Sequence, residues 1–309
     1  MDRHIIILTT DKRQAALATL LPGRKVKCSW EEYKREEICE KIYVLPTPVS
    51  KLKSYSQVSD AIKAELVHCK GPLFVFAGAV NGEWKDFLES NGIAYMDFMQ
   101  LQEVVEGNAI ITAEATVAEI LLASKKSVCQ QRILVTGYGC CGKPIASLLR
   151  AMGAEVIVAA RRAEVRDEIR QDGYEAVDFE VQQCHKIEAS EQESRRDESE
   201  DSAIKSCRIR DVIGTIDTVV NTVPSLVITE DIIEKMSKES LIVDIASSPG
   251  GTDFVAAQKY GITAKLALGL PGIYTTSSSA ELLKNAISKY APLQKDVRED
   301  RQWIFQIII

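Results

Sequence analysis

The sequence predicts an α/β protein of two lobes, the second a doubly wound parallel-sheet (Rossmann) domain, and three observations carry the prediction. Apolar runs of strand length alternate with stretches of helical periodicity along most of the chain, a rhythm that gives parallel sheets with right-handed crossovers. The stretch RILVTGYGCCGKPIASLLRAMGAEVIVAARR, from Arg132 to Arg162, sets a Gly-x-Gly-x-x-Gly pattern between a strand-like run and a helix. A chain of 309 residues is also long enough for two domains of ordinary size, each with its own core.

Residues 1–112 form the first expected domain. HIIILTT, IYVLPTPV, PLFVFAG and IAYMDF read as strands, and SQVSDAIKAELVHC and NGEWKDFLESNG read as helices among them. A helix within 113–130, with apolar Val117, Ile120, Leu121 and Val128, connects the lobes. The second domain spans 131–290. RILVTG, EVIVAA, EAVDF, DTVVNTVP, LIVDIAS and TAKLALG give six strands, with helical patterns such as GKPIASLLRAMG and TEDIIEKMS between most of them. That succession makes a complete doubly wound nucleotide-binding domain. Residues 185–206, from His185, break the rhythm. They are polar, mixed in charge and nearly free of large apolar side chains, so they read as a flexible surface insertion that buries too little to offset ordering entropy. The apolar RQWIFQIII in the tail 291–309 is expected to pack on the first lobe or on a second protomer, as an added edge strand.

Composition narrows the class. With 46% hydrophobic and 27% charged residues the chain has the profile of a soluble globular protein. A net charge of -6 and the absence of any Lys/Arg-rich block argue against nucleic acid as a partner. HIIILTT is too short for a signal peptide's apolar region, and no run approaches the length that crosses a bilayer. The eight cysteines, at 28, 39, 69, 129, 140, 141, 184 and 207, show no CxxC pairing, so no metal is expected and they read as reduced thiols of a cytoplasmic protein.

Gly137, Gly139 and Gly142 have distinct tasks in a dinucleotide loop. The first permits the tight turn, the second lets the backbone approach a pyrophosphate, and the third lets the helix pack closely on the strand. Free N–H groups and the positive dipole end of the helix then receive the phosphates, and Pro144 sits in the first turn, where its missing N–H costs little. An NAD-preferring site places Asp or Glu at the end of the next strand. This chain has Ala160, Arg161 and Arg162 there instead. Arg161 suits a forked contact with a 2′-phosphate or stacking on adenine, and Arg162 can share either task, so the expected cofactor is NADP. Cys140 and Cys141 lie inside the loop; they read as small side chains against the cofactor, with a lowered-pKa thiolate at the helix start as the other reading. Thr222, Val223 and Pro224 after the fourth strand, and Gly269 and Pro271 after the sixth, complete the expected cofactor contacts.

Histidine is scarce: His4, His68 and His185 all fall away from the carboxyl ends of the second-lobe strands. A 2-hydroxyacid dehydrogenase, which would want a late histidine acid/base, is thereby disfavoured. Those strand ends instead carry Asn221, Ser225, Ser247, Ser248, Thr252 and Asp253, hydroxyls and amides that suit carboxylate binding and serve equally as caps and turns.

VNTVPSLVIT, LIVDIASSPGGTDFVAAQKYGI and LALGLPGI, in that order and with the glycine loop, resemble the dipicolinate synthase A-subunit family of spore-forming bacteria. The resemblance covers most of residues 108–290 and includes NAIITAEATVAEILLA, similar to the family's segment joining two lobes. It implies two α/β lobes and NADP-dependent oxidation of dihydrodipicolinate to dipicolinate (pyridine-2,6-dicarboxylate) during sporulation, in the mother-cell cytoplasm. It further implies the flavoprotein-like B-subunit of dipicolinate synthase as partner, and a homo-oligomeric state is expected. Placed on this chain, the substrate contacts are Thr112 and Glu114 from the joining segment and Ser247, Ser248 and Thr252 from the second lobe, with Glu114 as proton acceptor or, alternatively, as a helix-start carboxylate facing the dipole. Two features depart from the family's pattern. Thr276, Ser277 and Ser278 follow LPGI where a Pro-Lys-Thr-like run is expected, and the insertion after His185 is foreign to it. A non-catalytic NADP(H)-binding sensor or scaffold protein, and a dehydrogenase for another small dicarboxylate, therefore stay open as alternatives.

Overall fold

The computed structural model describes residues 4–8, 12–21, 24–28, 41–50, 56–68, 73–179 and 207–291. The charged insertion, His185 and the RQWIFQIII tail lie outside the described residues. Two parallel sheets organise two compact units: residues 116–268 form one, and residues 1–115 together with 269–309 form the other.

The first unit contains β1 (His4–Leu8), α1 (Lys12–Leu20), β2 (Arg24–Cys28), β3 (Lys41–Val44), α2 (Ser56–His68), β4 (Leu73–Ala77), α3 (Gly82–Ser90) and β5 (Ala94–Asp97). All pairings are parallel, in the order β2-β1-β3-β4-β5, one of the two common doubly wound orders. The four expected strands are present. β2 and α1 are additional: β2 is a basic edge strand whose Arg24, Lys25 and Lys27 leave little apolar signal, as edge strands commonly do.

One face of this sheet has a core built from Ile5, Ile7, Val44 and Phe76 against Leu17 of α1. The same core takes in Ala280, Leu283, Ala286 and Ile287, which belong to the last described helix. The opposite core, around Tyr43, Ile62, Val75 and Trp84, holds a carboxyl group. Glu65 of α2 is only 7% exposed, its Oε1 accepts the Tyr43 hydroxyl, and burial raises its pKa to about 7. Because the folded pKa lies above the ordinary carboxyl value of 4.5, the stability this group contributes is complete below pH ~4.5 and is lost as pH rises toward about 7. Glu65→Gln is therefore expected to be more stable than wild type at pH 8, by about 2 kcal/mol, and equal to it near pH 4.5. Urea unfolding across that range checks this; a difference independent of pH would show that the carboxyl does not titrate in the fold.

α4 (Gln102–Ala123) follows, a 22-residue helix. It starts well before the connector read from the sequence, and Gly107 within it meets the last described helix closely: a Cβ there would lie 2.7 Å from a Leu282 methyl. Glu114 is thus far from the helix start, and the reading of it as a carboxylate facing the dipole fails.

The second unit runs β6 (Arg132–Thr136), α5 (Gly142–Ala151), β7 (Glu155–Ala159), α6 (Ala163–Gln171), β8 (Glu175–Val177), α7 (Ile209–Val212), β9 (Thr218–Asn221), α8 (Glu230–Ile233), β10 (Leu241–Asp244), α9 (Phe254–Tyr260) and β11 (Thr263–Leu266). Its sheet order is β11-β10-β9-β6-β7-β8, the Rossmann order of two halves wound outward from a central pair of strands. β9 and β10 are buried at every residue, which is why they appear in sequence as unbroken apolar runs.

α10 (Leu270–Tyr274) and α11 (Thr276–Tyr290) close the described chain. The division differs here from the 131–290 domain that the strand rhythm indicates. α11 packs on α1 and fills the first core, so it belongs to the first unit. Among the described residues no helix is long and apolar enough to cross a membrane.

Candidate nucleotide site

In the second unit β6 pairs with both β7 and β9, so the strand order reverses there and the carboxyl ends of β6 and β9 flank the switch point. Open parallel sheets form their ligand crevice at that point. The glycine loop leaves β6 into it. Gly137 has φ +88, its N–H donates to Ala159 O at 2.8 Å, and a Cβ on it would stand 2.5 Å from Thr222 Oγ1. A Cβ on Gly142 would stand 2.1 Å from Gly137 O, so the start of α5 is pressed directly on the turn. Gly139 behaves differently: nothing lies within 4 Å of its Cβ position. That open backbone surface is the cradle a pyrophosphate needs, and it fits the group the motif implies.

Cys140 is exposed, whereas Cys141 caps α5 without a side-chain cap bond, and burial raises its thiol pKa. The reactive-thiolate reading of Cys141 gains no support.

The loops from β9 and β10 are held by two buried polar side chains. Asn221, fully buried, accepts the Thr136 hydroxyl and the Val223 N–H and donates to Val223 O. Thr222 Oγ1 donates to Thr136 O at 2.7 Å. Asp244, also fully buried, accepts Ala246 N–H at 3.0 Å, Gly251 N–H at 2.8 Å and the Thr252 hydroxyl at 2.7 Å. Gly251 O in turn accepts Val227 and Ile228 N–H, both at 2.9 Å, which joins this loop to the one carrying Thr222, Val223 and Pro224. Ser247 and Ser248 are exposed on it; Thr252 is buried, with its proton committed to Asp244.

Beyond β7, Arg161 and Arg162 are exposed and form no ion pair among the described residues. Sequence reasoning missed Arg166. Its guanidinium lies behind the turn, donating to Ala160 O at 2.9 Å and Arg161 O at 2.7 Å and pairing with Asp178 at 3.0 Å. It also missed Tyr138, whose hydroxyl donates to Asp172 Oδ2 at 2.6 Å and whose pKa burial raises, tying the glycine loop to the end of α6. The only sequence signal for either was a basic residue four after Arg162 and an aromatic between two glycines.

The remaining expected site residues belong to the first unit. Thr112 of α4 turns its hydroxyl back to Asn108 O at 2.7 Å, and Glu114 is exposed. Gly269, with φ +66, starts α10; Pro271 is buried in its first turn, and Ser277 is exposed at the start of α11.

Comparison with known proteins agrees with this geometry. Residues 104–302 match the sequence family "Alanine dehydrogenase/PNT, C-terminal domain". The dipicolinate synthase A-subunit of Bacillus subtilis (strain 168) is 27% identical over 276 residues, covering 85% of this chain and 81% of its own. The crystal structure of the dipicolinate synthase A-subunit from Bacillus halodurans superposes with TM-score 0.69 at 22% identity, covering 93% of this chain and 97% of that one. The NAD-complexed D-isomer specific 2-hydroxyacid dehydrogenase of Lactobacillus delbrueckii ssp. bulgaricus shares the fold at TM-score 0.51 and 13% identity, covering 93% and 95%. With its glycine loop, switch point and strand order all in the matched region, the chain belongs to the alanine dehydrogenase/PNT C-terminal domain family, and it resembles the dipicolinate synthase A-subunit.

Proposed function

We propose that the chain is the NADP-dependent dehydrogenase component of a dipicolinate synthase, oxidising dihydrodipicolinate to dipicolinate in the mother-cell cytoplasm, with a flavoprotein-like B-subunit as partner. The observation that carries it is a glycine cradle at the switch point followed by two exposed arginines, without ion pairs among the described residues, where an NAD site has a carboxylate. Bound NADP⁺ supplies the hydride acceptor. The chain's own residues have mainly to bind and orient, because the oxidation yields an aromatic ring and its driving force is already large. Gly139 would let the pyrophosphate onto the loop that Gly137 and Gly142 shape, and Arg161 and Arg162 would take the 2′-phosphate. Ser247 and Ser248, exposed on the loop that Asp244 braces, bind a carboxylate, Thr252 and Thr112 are assigned to the same task, and Glu114 accepts the proton.

A second reading, a non-catalytic NADP(H)-binding scaffold, is favoured by two observations: Ser277 lacks the positive charge expected there, and the Thr252 proton is already committed to Asp244. The deciding experiment mixes purified protein with NADP⁺ and freshly generated dihydrodipicolinate, with and without the B-subunit. NADPH and dipicolinate are expected in equal amounts, with slower turnover on NAD⁺ and in Arg161→Ala. Cofactor binding without either product, in both conditions, would leave the scaffold reading standing.

A further inference from the structure

We propose that the Arg166–Asp178 pair sets the preference of this site for a 2′-phosphorylated dinucleotide, as positioning residues behind Arg161 and Arg162. The inference rests on the reading of the site as one for NADP. Arg166 is 12% exposed in its side chain and serves three acceptors: the carbonyls of Ala160 and Arg161 and the Asp178 carboxylate. Both carbonyls belong to the turn from β7 to α6, where dinucleotide sites carry their discriminating side chain. In a trans peptide the N–H points opposite to the C=O. With the carbonyls of 160 and 161 drawn to Arg166, the N–H groups of Arg161 and Arg162 are held facing away from it. All three contacts converge on one guanidinium nitrogen, Nη1, whose two N–H groups the three acceptors share, and a lysine, with its shorter stem, sets its ammonium away from that point.

The pair also balances charge. Asp178 follows β8 directly, and β8 lies beside β7, with Ala160 N–H donating to Val177 O at 3.1 Å. It therefore places a carboxylate at the same edge of the sheet as the discriminating turn. Unpaired, that carboxylate would repel a phosphate, as the acidic residue of an NAD site does. Arg166 cancels it, which leaves Arg161 and Arg162, exposed and without ion pairs among the described residues, with their full charge for the ligand.

The test measures Kd for NADP⁺ and NAD⁺ separately, by fluorescence or calorimetric titration, with thermal unfolding as a check on folding. Arg166→Gln is expected to weaken NADP⁺ by about tenfold while NAD⁺ changes less than about twofold. Adding Asp178→Asn to that variant should recover part of the loss, because the repelling carboxylate is gone. Arg166→Lys should fall between wild type and Arg166→Gln. Equal weakening of both cofactors would reduce Arg166 to a purely structural residue and overturn the inference. Should Arg166→Gln not fold, Arg166→Lys and Asp178→Asn read the same ratio, and no change in either overturns it too. A wild-type protein that binds NAD⁺ as well as NADP⁺ would instead sink the NADP reading itself, a failure visible before any variant is made.

Discussion

Asp244→Ala is expected to destabilise the second unit by about 4 kcal/mol, a fall in melting temperature of about 10 °C. The carboxylate is fully buried and serves three donors, the N–H groups of Ala246 and Gly251 and the hydroxyl of Thr252. Removing it leaves each donor to find another partner, at about 1–3 kcal/mol for each that fails. Asp244→Asn keeps the shape but can turn an amide N–H₂ toward groups that themselves donate, so about half the loss is expected. The damage should be focused, because the same carboxylate shapes the loop that presents Ser247 and Ser248. Chemical unfolding measures the first effect and substrate KM the second. A loss below about 1 kcal/mol would mean that the loop is held by its backbone alone.

Gly142→Ala should be the most damaging single methyl in the glycine loop. The added carbon would sit 2.1 Å from Gly137 O, and the obstacle is backbone, so no side-chain rotation relieves it. Forcing α5 off the turn is expected to cost about 3 kcal/mol and to weaken dinucleotide binding about a hundredfold. Gly139→Ala is the informative contrast. Its Cβ position has nothing within 4 Å, so the melting temperature should not move while binding still falls, because the methyl occupies the open surface. Equal effects of the two substitutions on stability would refute this division between a packing glycine and a binding glycine.

The turn at Gly137 and the close packing at Gly142 were legible in the sequence because they are local: three glycines, a strand before them and a helix after. The six strands of the second unit were legible for a related reason, since strands such as β9 and β10 are covered on both faces and must be apolar throughout. β2 was not, because an edge strand with Arg24, Lys25 and Lys27 has no such requirement. The apolar face of α11 could be read, but its partner could not; that it packs on α1, at the other end of the chain, is a tertiary fact. Tyr138 and Asp172, separated by 34 residues, were hidden for the same reason. Arg166 was hidden by its chemistry: a guanidinium aimed at backbone carbonyls leaves no pattern of side-chain types to find.

The interrupted first unit bears on how the protein is made. Residues 116–268 form one continuous unit and can close as soon as they leave the ribosome. The earlier-made unit must wait. Until α11 is synthesised, the core residues Ile5, Leu17, Val44 and Phe76 lack the cover that Ala280, Leu283, Ala286 and Ile287 provide. The N-terminal segment therefore spends the synthesis of the whole intervening unit with an unfinished apolar face, while the unit made after it is already complete.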